Sequence, residues 1–141
     1  DVYYTDEQGK QQHIIMGCYG IGVSRLVGVL AEHFSDEHGL VWPENIAPFR
    51  VHLIRLGEGD GAMKQADELY SVLTAAGISI LYDNRNMRPG EKFADADLIG
   101  IPHRVVVSEK TAAAGTYEYK ARTSNDSQQL SKVQLLKLFG A

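Results

Sequence analysis

Arg50-Val-His-Leu-Ile-Arg-Leu56, then Ala62 to Leu73, then Gly77-Ile-Ser-Ile-Leu-Tyr82 is the stretch on which the fold turns. Its first segment is a short apolar run of strand length. Ala62, Ala66, Leu69, Tyr70 and Leu73 recur at helical spacing and mark one face of a helix that Gly77 closes. Ile78 to Tyr82 is apolar again and short, a second strand. Two strands joined by a crossover helix of these lengths predict a right-handed parallel unit.

Beyond it come a loop from Asp83 to Gly90, a short helix over about Lys92 to Ile99, strands over His103 to Ser108 and Thr116 to Ala121, and a final helix capped by Ser131. Phe93 and Leu98 read as core, Asp95 and Asp97 as helix-surface or capping groups, and Ala112-Ala-Ala-Gly115 as a turn. The order βαβαββα predicts an α/β domain with a mixed sheet and helices on its faces. Upstream, Val2-Tyr-Tyr-Thr5 and His13-Ile-Ile-Met16 flank the turn-like Asp6-Glu-Gln-Gly9, which predicts a hairpin. Val23, Leu26, Val27, Leu30 and Phe34 then follow helical spacing until Asp36-Glu-His-Gly39 ends the run. Trp42-Pro43 and Ala47-Pro48 favour extended backbone before each proline, so residues 36 to 49 read as a stiff linker.

Chemistry concentrates in two places. Met16-Gly-Cys-Tyr-Gly-Ile-Gly-Val-Ser-Arg-Leu26 combines a strand end, three glycines and a helix start. Gly17, Gly20 and Gly22 carry no Cβ, so a ligand can approach the backbone closely and unusual backbone angles cost little. The unpaired first amides and the dipole of a helix beginning there favour an anion, and the planar fork of Arg25 suits phosphate oxygens. The segment is neither a dinucleotide fingerprint, since Arg25 stands where the third glycine belongs, nor a Walker A loop, since no glycine is followed by Lys and then Ser or Thr. A strand-to-helix turn with a surface arginine is the bland alternative. The second place is Asp83-Asn-Arg-Asn-Met-Arg-Pro-Gly-Glu-Lys-Phe93, between a strand's carboxyl end and a helix start, where open α/β sheets bind ligands. Arg85, Arg88 and Lys92 supply donors and Glu91 an acceptor suited to the exposed edges of single-stranded RNA bases. The alternative is a solvated turn whose charges cap the helix.

Cys18 has no histidine tied to it, so a packing role outweighs a nucleophilic one. His13, His33, His38, His52 and His103 show no ligand spacing with Cys18 or a carboxylate, and no metal site is expected. With 141 residues, 44% of them hydrophobic, the chain can bury one ordinary core and a small second element. A net charge of -4 argues against a uniformly basic nucleic-acid binder, so any RNA contact must be local. A single cysteine excludes an internal disulfide, and no apolar run is long enough for a bilayer. No charged-then-apolar leader precedes the first strand, which points to the cytoplasm, and the opening at Asp1 without methionine fits a fragment.

Three segments in order and spacing carry a family resemblance: Met16 to Leu26, Gly39-Leu-Val-Trp-Pro-Glu-Asn-Ile-Ala-Pro-Phe49, and Leu81 to Arg85 continued by Arg88-Pro-Gly-Glu-Lys-Phe-Ala-Asp-Ala-Asp-Leu-Ile-Gly-Ile-Pro102. Across nearly its whole length the chain resembles the C-terminal part of bacterial-type prolyl-tRNA synthetases, which are class II aminoacyl-tRNA synthetases. The resemblance implies a catalytic-domain piece over residues 1 to 40, a linker over 41 to 49 and an anticodon-binding domain with a five-stranded sheet over 50 to 141. It implies that Arg25, in the position of the class II motif 3 arginine, contacts the phosphates of ATP. Gly20 and Gly22 would leave room for the adenosine, with Gly17 and Cys18 near the proline pocket. It further implies that Arg85, Arg88, Glu91 and Lys92 read the anticodon of tRNA(Pro), that Mg2+ accompanies ATP, and that the parent protein is a homodimer. Motifs 1 and 2 and most of the amino-acid pocket are absent, so the fragment alone is expected to be inactive and residues 1 to 35 to lack a partner strand. A non-catalytic accessory module related to anticodon domains and a free-standing nucleotide-binding α/β domain are the other readings the residues allow.

Overall fold

The computed structural model describes residues 2–140. An antiparallel hairpin opens the chain, β1 (Tyr3–Thr5) against β2 (Gln11–His13), with Tyr3 opposite His13. The Asp6 carboxylate accepts from the Gln8 and Lys10 amides and holds the turn. The second strand lies earlier than the apolar run Ile14 to Met16, which has no regular structure. Helix α1 (Val23–His33) follows, as its spacing predicts, yet buries none of its residues, and Val23, Leu26, Val27 and Val29 all face solvent. Where a linker is expected the chain first makes a miniature ribbon, β3 (Ser35–Asp36) with β4 (Gly39–Leu40). Strands of two residues leave no periodic trace, so only the turn at Asp36 to Gly39 was legible.

The remaining elements are β5 (Val51–Arg55), α2 (Asp60–Ala75), β6 (Ile80–Asp83), α3 (Pro89–Ile99), β7 (His103–Val107), α4 (Glu109–Ala114), β8 (Thr116–Ala121), β9 (Gln128–Ser131) and α5 (Lys132–Phe139). They build a five-stranded mixed sheet in the order β6-β5-β7-β8-β9. β5 pairs in parallel with β6 and β7, and β8 is antiparallel to both β7 and β9. The parallel βαβ unit and the mixed sheet are those expected. Two elements escaped the sequence reading. β9 is polar, Gln128-Gln-Leu-Ser131, as an edge strand can be. α4 is a six-residue helix where a turn was expected; the Ser108 hydroxyl accepts from the Thr111 amide and caps it. Ser131 caps α5 in the same way through Gln134.

Residue alternation sorts the two faces of the sheet. Val51 and Leu53 of β5, Val105 and Val107 of β7 and Tyr117 of β8 point toward α2 and α5, where Ala62, Ala66, Leu69, Leu73, Leu135 and Phe139 complete the main core. The opposite face is smaller: Ile54, Val106 and Ala96 pack with Phe93 and Leu56 under α3. Phe93 is partly buried against this smaller core, whereas Leu98 is exposed because its side of α3 turns from the sheet.

The ribbon docks on the end of α3 through two glycines. Gly39 has φ +145°, and a Cβ there would lie 2.5 Å from both the Asp97 carbonyl oxygen and the Leu98 Cα. Gly100, the left-handed C-cap of α3 at φ +72°, sits against the Leu40 carbonyl so closely that a Cβ would overlap it. The Trp42 amide donates to the Gly100 carbonyl at 3.1 Å, and Arg122 grips the Asp36 carboxylate with two bonds of 2.8 Å. Among the described residues no helix is long and apolar enough to cross a membrane, and no group of three or more His, Cys, Asp or Glu side chains could hold a metal ion.

Candidate nucleic-acid interface

The loop from Asn84 to Arg88 leaves the carboxyl end of edge strand β6 and enters α3, the position the sequence singles out. Its anchor is Asp83, the buried last residue of β6. The Asp83 carboxylate accepts from the Arg85 amide at 3.1 Å and, in a two-pronged contact, from Arg85 Nε at 3.0 Å and Nη2 at 2.8 Å. These bonds hold the Asp83 carboxyl down to about 2, and the same pairing raises Arg85 above its already high value. Arg85 Nη2 also reaches Asp95 Oδ2 at 2.7 Å, so half of its fork is engaged by two carboxylates while half its surface stays exposed. Asp95 is thus an ion-pair partner of the loop as well as a helix-surface group.

Lys92 lies elsewhere than a base-reading group would. It is only 1% exposed, one of the largest fully buried side chains in the protein. Its ammonium donates to the Arg55 carbonyl at 2.7 Å and the Asp83 carbonyl at 3.3 Å and stands 3.6 Å from Asp83 Oδ1. Burial lowers its pKa while Asp83 opposes the shift. Lys92 and Ala96 are one helical turn apart and form the buried stripe of α3. That spacing was visible in the sequence; the charge of Lys92 masked its place in the stripe.

Arg88 and Glu91 do face solvent. Arg88 precedes Pro89 at the first position of α3, and its amide donates to Glu91 Oε2 at 3.2 Å, which ties Glu91 back over the helix start. Among the described residues the Arg88 guanidinium has no carboxylate partner, so the loop presents one free cation beside a partly engaged one. Next to the loop a cavity of about 260 Å3 is lined by His52, Leu81, Tyr82, Asp83, Arg85, Asp95 and Ile99. His52, which sequence reasoning passed over as a possible site residue, is one of the residues that line it. A histidine inside the otherwise apolar run of β5 was the available signal.

His52 is 2% exposed, and burial pushes its imidazole down to about 4. The unfolded chain therefore takes up a proton below about 6.5 that the folded chain refuses until about 4. Stability should be fully present above pH 6.5 and fall as pH drops toward 4, by roughly 3 kcal/mol from this group. His103, also lowered by burial, adds in the same direction. Urea unfolding at pH 7.0 and 4.5 checks this: His52→Leu should flatten most of the slope, and an unchanged slope would remove His52 as its source.

The glycine segment has another character. Gly17 to Gly22 form no regular structure, α1 starts directly after Gly22, and the Leu26 amide donates to the Gly22 carbonyl at 3.1 Å. None of Gly17, Gly20 and Gly22 has a positive φ. The freedom these glycines have for unusual backbone angles is thus not used here; a Cβ on Gly20 would meet open space, and one on Gly22 only Arg25 Cβ at 3.6 Å. Cys18 and Arg25 are exposed, and among the described residues no carboxylate pairs with Arg25. Ile15, Met16, Tyr19 and Ile21 expose nearly all of their apolar surface around it.

The family described as Anticodon binding domain matches residues 50–140. The chain is 53% identical over 134 residues to the proline–tRNA ligase of Geobacillus sp. (strain WCH70), covering 94% of this chain and 24% of that protein. It is 51% identical over 128 residues to the proline–tRNA ligase of Legionella pneumophila (strain Lens), covering 89% and 22%, and 46% identical over 125 residues to that of Elusimicrobium minutum (strain Pei191), covering 87% and 22%. The chain spans about a quarter of the length of these curated relatives. From Arg50 onward, its sheet order, its helices and its sequence agree, and the chain belongs to the anticodon binding domain family.

Proposed function

We propose that the chain is the C-terminal part of a proline–tRNA ligase, in which residues 50 to 141 bind the anticodon of tRNA(Pro) and residues 1 to 40 complete the ATP-dependent activation of proline, joined by a linker over 41 to 49. The similarity to proline–tRNA ligases over 94% of the chain carries this reading, because it extends through the glycine segment as well as the sheet. A cytoplasmic setting, Mg2+ with the ATP and a homodimeric parent go with it.

In this reading Arg88 and Glu91 contact bases directly. Arg88 offers unengaged donors for a base edge or a stacking plane, and the Glu91 carboxylate accepts from a guanine edge. Arg85 serves with part of its fork, the rest being held by Asp83 and Asp95. Lys92 acts by positioning: it fixes the carbonyls of Arg55 and Asp83 at the base of the loop. At the other end, Arg25 stabilises charge on the ATP phosphates while proline attacks the α-phosphate and pyrophosphate leaves. Gly20 and Gly22 keep the approach to the helix start open, and Cys18 with Gly17 lines the proline side. The apolar surface of Ile15, Met16, Tyr19, Ile21 and α1 is then the face buried by the rest of the ligase.

A charge-assisted hydrogen bond is worth roughly 1.5–3 kcal/mol, so Arg25→Ala in the full-length protein should lower proline-dependent pyrophosphate exchange about ten-fold to a hundred-fold. Near-normal exchange removes Arg25 from the reaction. Binding that does not discriminate tRNA(Pro) from tRNAs with other anticodons removes the anticodon reading.

A further inference from the structure

One helix connects the two chemical ends of the chain. α3 starts at the loop that carries Arg88 and Glu91 and, about 16 Å further along its axis, ends at Gly100 against the ribbon. The ribbon in turn is continuous with α1, the helix that carries Arg25. Phe34 belongs to both: as the C-cap of α1 its amide donates to the Leu30 carbonyl at 2.8 Å, and its carbonyl accepts from the Val41 amide just past β4 at 2.8 Å. It is the single residue between α1 and β3, so no loose segment separates them. α1 buries none of its residues, and its direction is set by this attachment at its C-terminus.

Arg122 pins the ribbon in place. It follows β8 directly, its amide donates to the Pro102 carbonyl at 2.8 Å, and its side chain is only 9% exposed. Nη1 and Nη2 each donate to an Asp36 oxygen at 2.8 Å, and Nη2 also donates to the Asp97 carbonyl of α3 at 3.3 Å. One guanidinium thus bridges ribbon, helix and sheet, and two parallel bonds from a planar fork fix direction as well as distance. Asp36 Oδ1 accepts from the His38 and Gly39 amides too, so the residue that shapes the turn of the ribbon is also the one that docks it. We propose that Asp36 and Arg122 are positioning residues of the ligase: by docking the ribbon on the C-terminal end of α3 they set the direction of the Arg25 helix relative to the anticodon loop, so that a tRNA held by its anticodon presents its acceptor end to the activated proline. This rests on the ligase reading. A rotation at the ribbon moves α1 and what precedes it as a unit and leaves each end intact, so it disturbs the one step that needs both ends at once. In that step the terminal ribose hydroxyl of the tRNA attacks the carbonyl carbon of prolyl-adenylate. The ester forms as the bond to the phosphate oxygen breaks, AMP leaves, and the hydroxyl proton passes to solvent.

Asp36→Asn in the full-length protein keeps an oxygen for the His38 and Gly39 amides but loses the charge and half of the two-pronged contact. Hydrogen exchange over residues 34 to 42 should rise as the ribbon lifts. Proline-dependent pyrophosphate exchange without tRNA, and the Kd and KM for tRNA(Pro), should stay at wild-type values, while transfer from preformed adenylate slows about ten-fold to a hundred-fold, the scale of a small misplacement of reacting groups. Arg122→Lys, which cannot supply the fork, should behave in the same way, and Asp36→Glu, which can still accept both bonds, should recover most of the rate. An unchanged transfer rate in Asp36→Asn overturns the proposal, whether or not hydrogen exchange rises. An equal loss of pyrophosphate exchange also overturns it, because the damage would then lie within the activation site. Wild-type protein that charges no tRNA(Pro) fails the ligase reading itself, whereas wild-type charging that Asp36→Asn leaves intact removes the positioning role alone.

Discussion

Replacing Gly100 by alanine is expected to destabilise the protein by roughly 2–5 kcal/mol, from about 1–2 kcal/mol for a side chain in the left-handed region and about 1–3 kcal/mol for overpacking. The residue has φ +72°, and its missing Cβ is what lets the Leu40 carbonyl lie against the C-terminus of α3. The neighbouring atoms there are backbone, which has no rotamer with which to move aside. Part of the strain can be relieved by lifting the ribbon, which would break the Trp42–Gly100 hydrogen bond and the Asp36–Arg122 pair. Trp42 is the only tryptophan of the chain, so its fluorescence reports that undocking while the urea midpoint reports stability. Unchanged emission with an unchanged midpoint would refute the close-approach account. Gly20→Ala, in open space, is the control and should be silent in both measurements.

Lys92→Ala is expected to cost about 3–5 kcal/mol, the range for breaking a buried charge pair by removing one partner. The substitution strands the Arg55 carbonyl and leaves a hollow beneath α3, while Asp83 keeps Arg85 alone. Lys92→Met restores the volume without the charge and should recover part of the loss. Asp83 adds its own pH dependence. Its folded-state pKa of about 2 lies below the unfolded carboxylate value, so its contribution is present above about pH 4 and lost as pH falls through 2. The functional contrast is with Arg88→Ala. Lys92→Ala should weaken tRNA(Pro) binding together with the unfolding midpoint, whereas Arg88→Ala should weaken binding and leave the midpoint in place. A stable Lys92→Ala protein that has lost binding would make Lys92 a direct reader after all.

That contrast shows what kind of information periodicity holds. Val51 to Arg55, Asp60 to Ala75 and Ile80 to Asp83 were legible because a parallel unit buried on both faces demands apolar runs at characteristic lengths, and those runs leave a pattern. The β3–β4 ribbon, α4 and β9 were not, because two-residue strands, a six-residue helix and a polar edge strand carry too few periodic positions to stand out. The loop's place between the end of β6 and the start of α3 was legible from the composition of that stretch. Its four polar side chains could not be sorted from sequence, since arginine and lysine look alike there whether they meet solvent or a buried carboxylate. Arg85, Arg88, Glu91 and Lys92 lie within eight positions, yet one is fully buried and another half engaged.

By itself the sequence determined the βαβ core, the mixed sheet that follows and the place where the loop leaves it, because burying apolar area constrains strands and helices locally. Tertiary structure alone decided that the Lys92 ammonium turns inward to Arg55 and Asp83, that Gly39 and Gly100 let two backbones touch, and that His52, Arg104, Lys120 and Arg122 meet around one cavity. Those outcomes depend on groups as far apart in the chain as Asp36 and Arg122. Their charges and shapes meet only after the sheet has closed over its core.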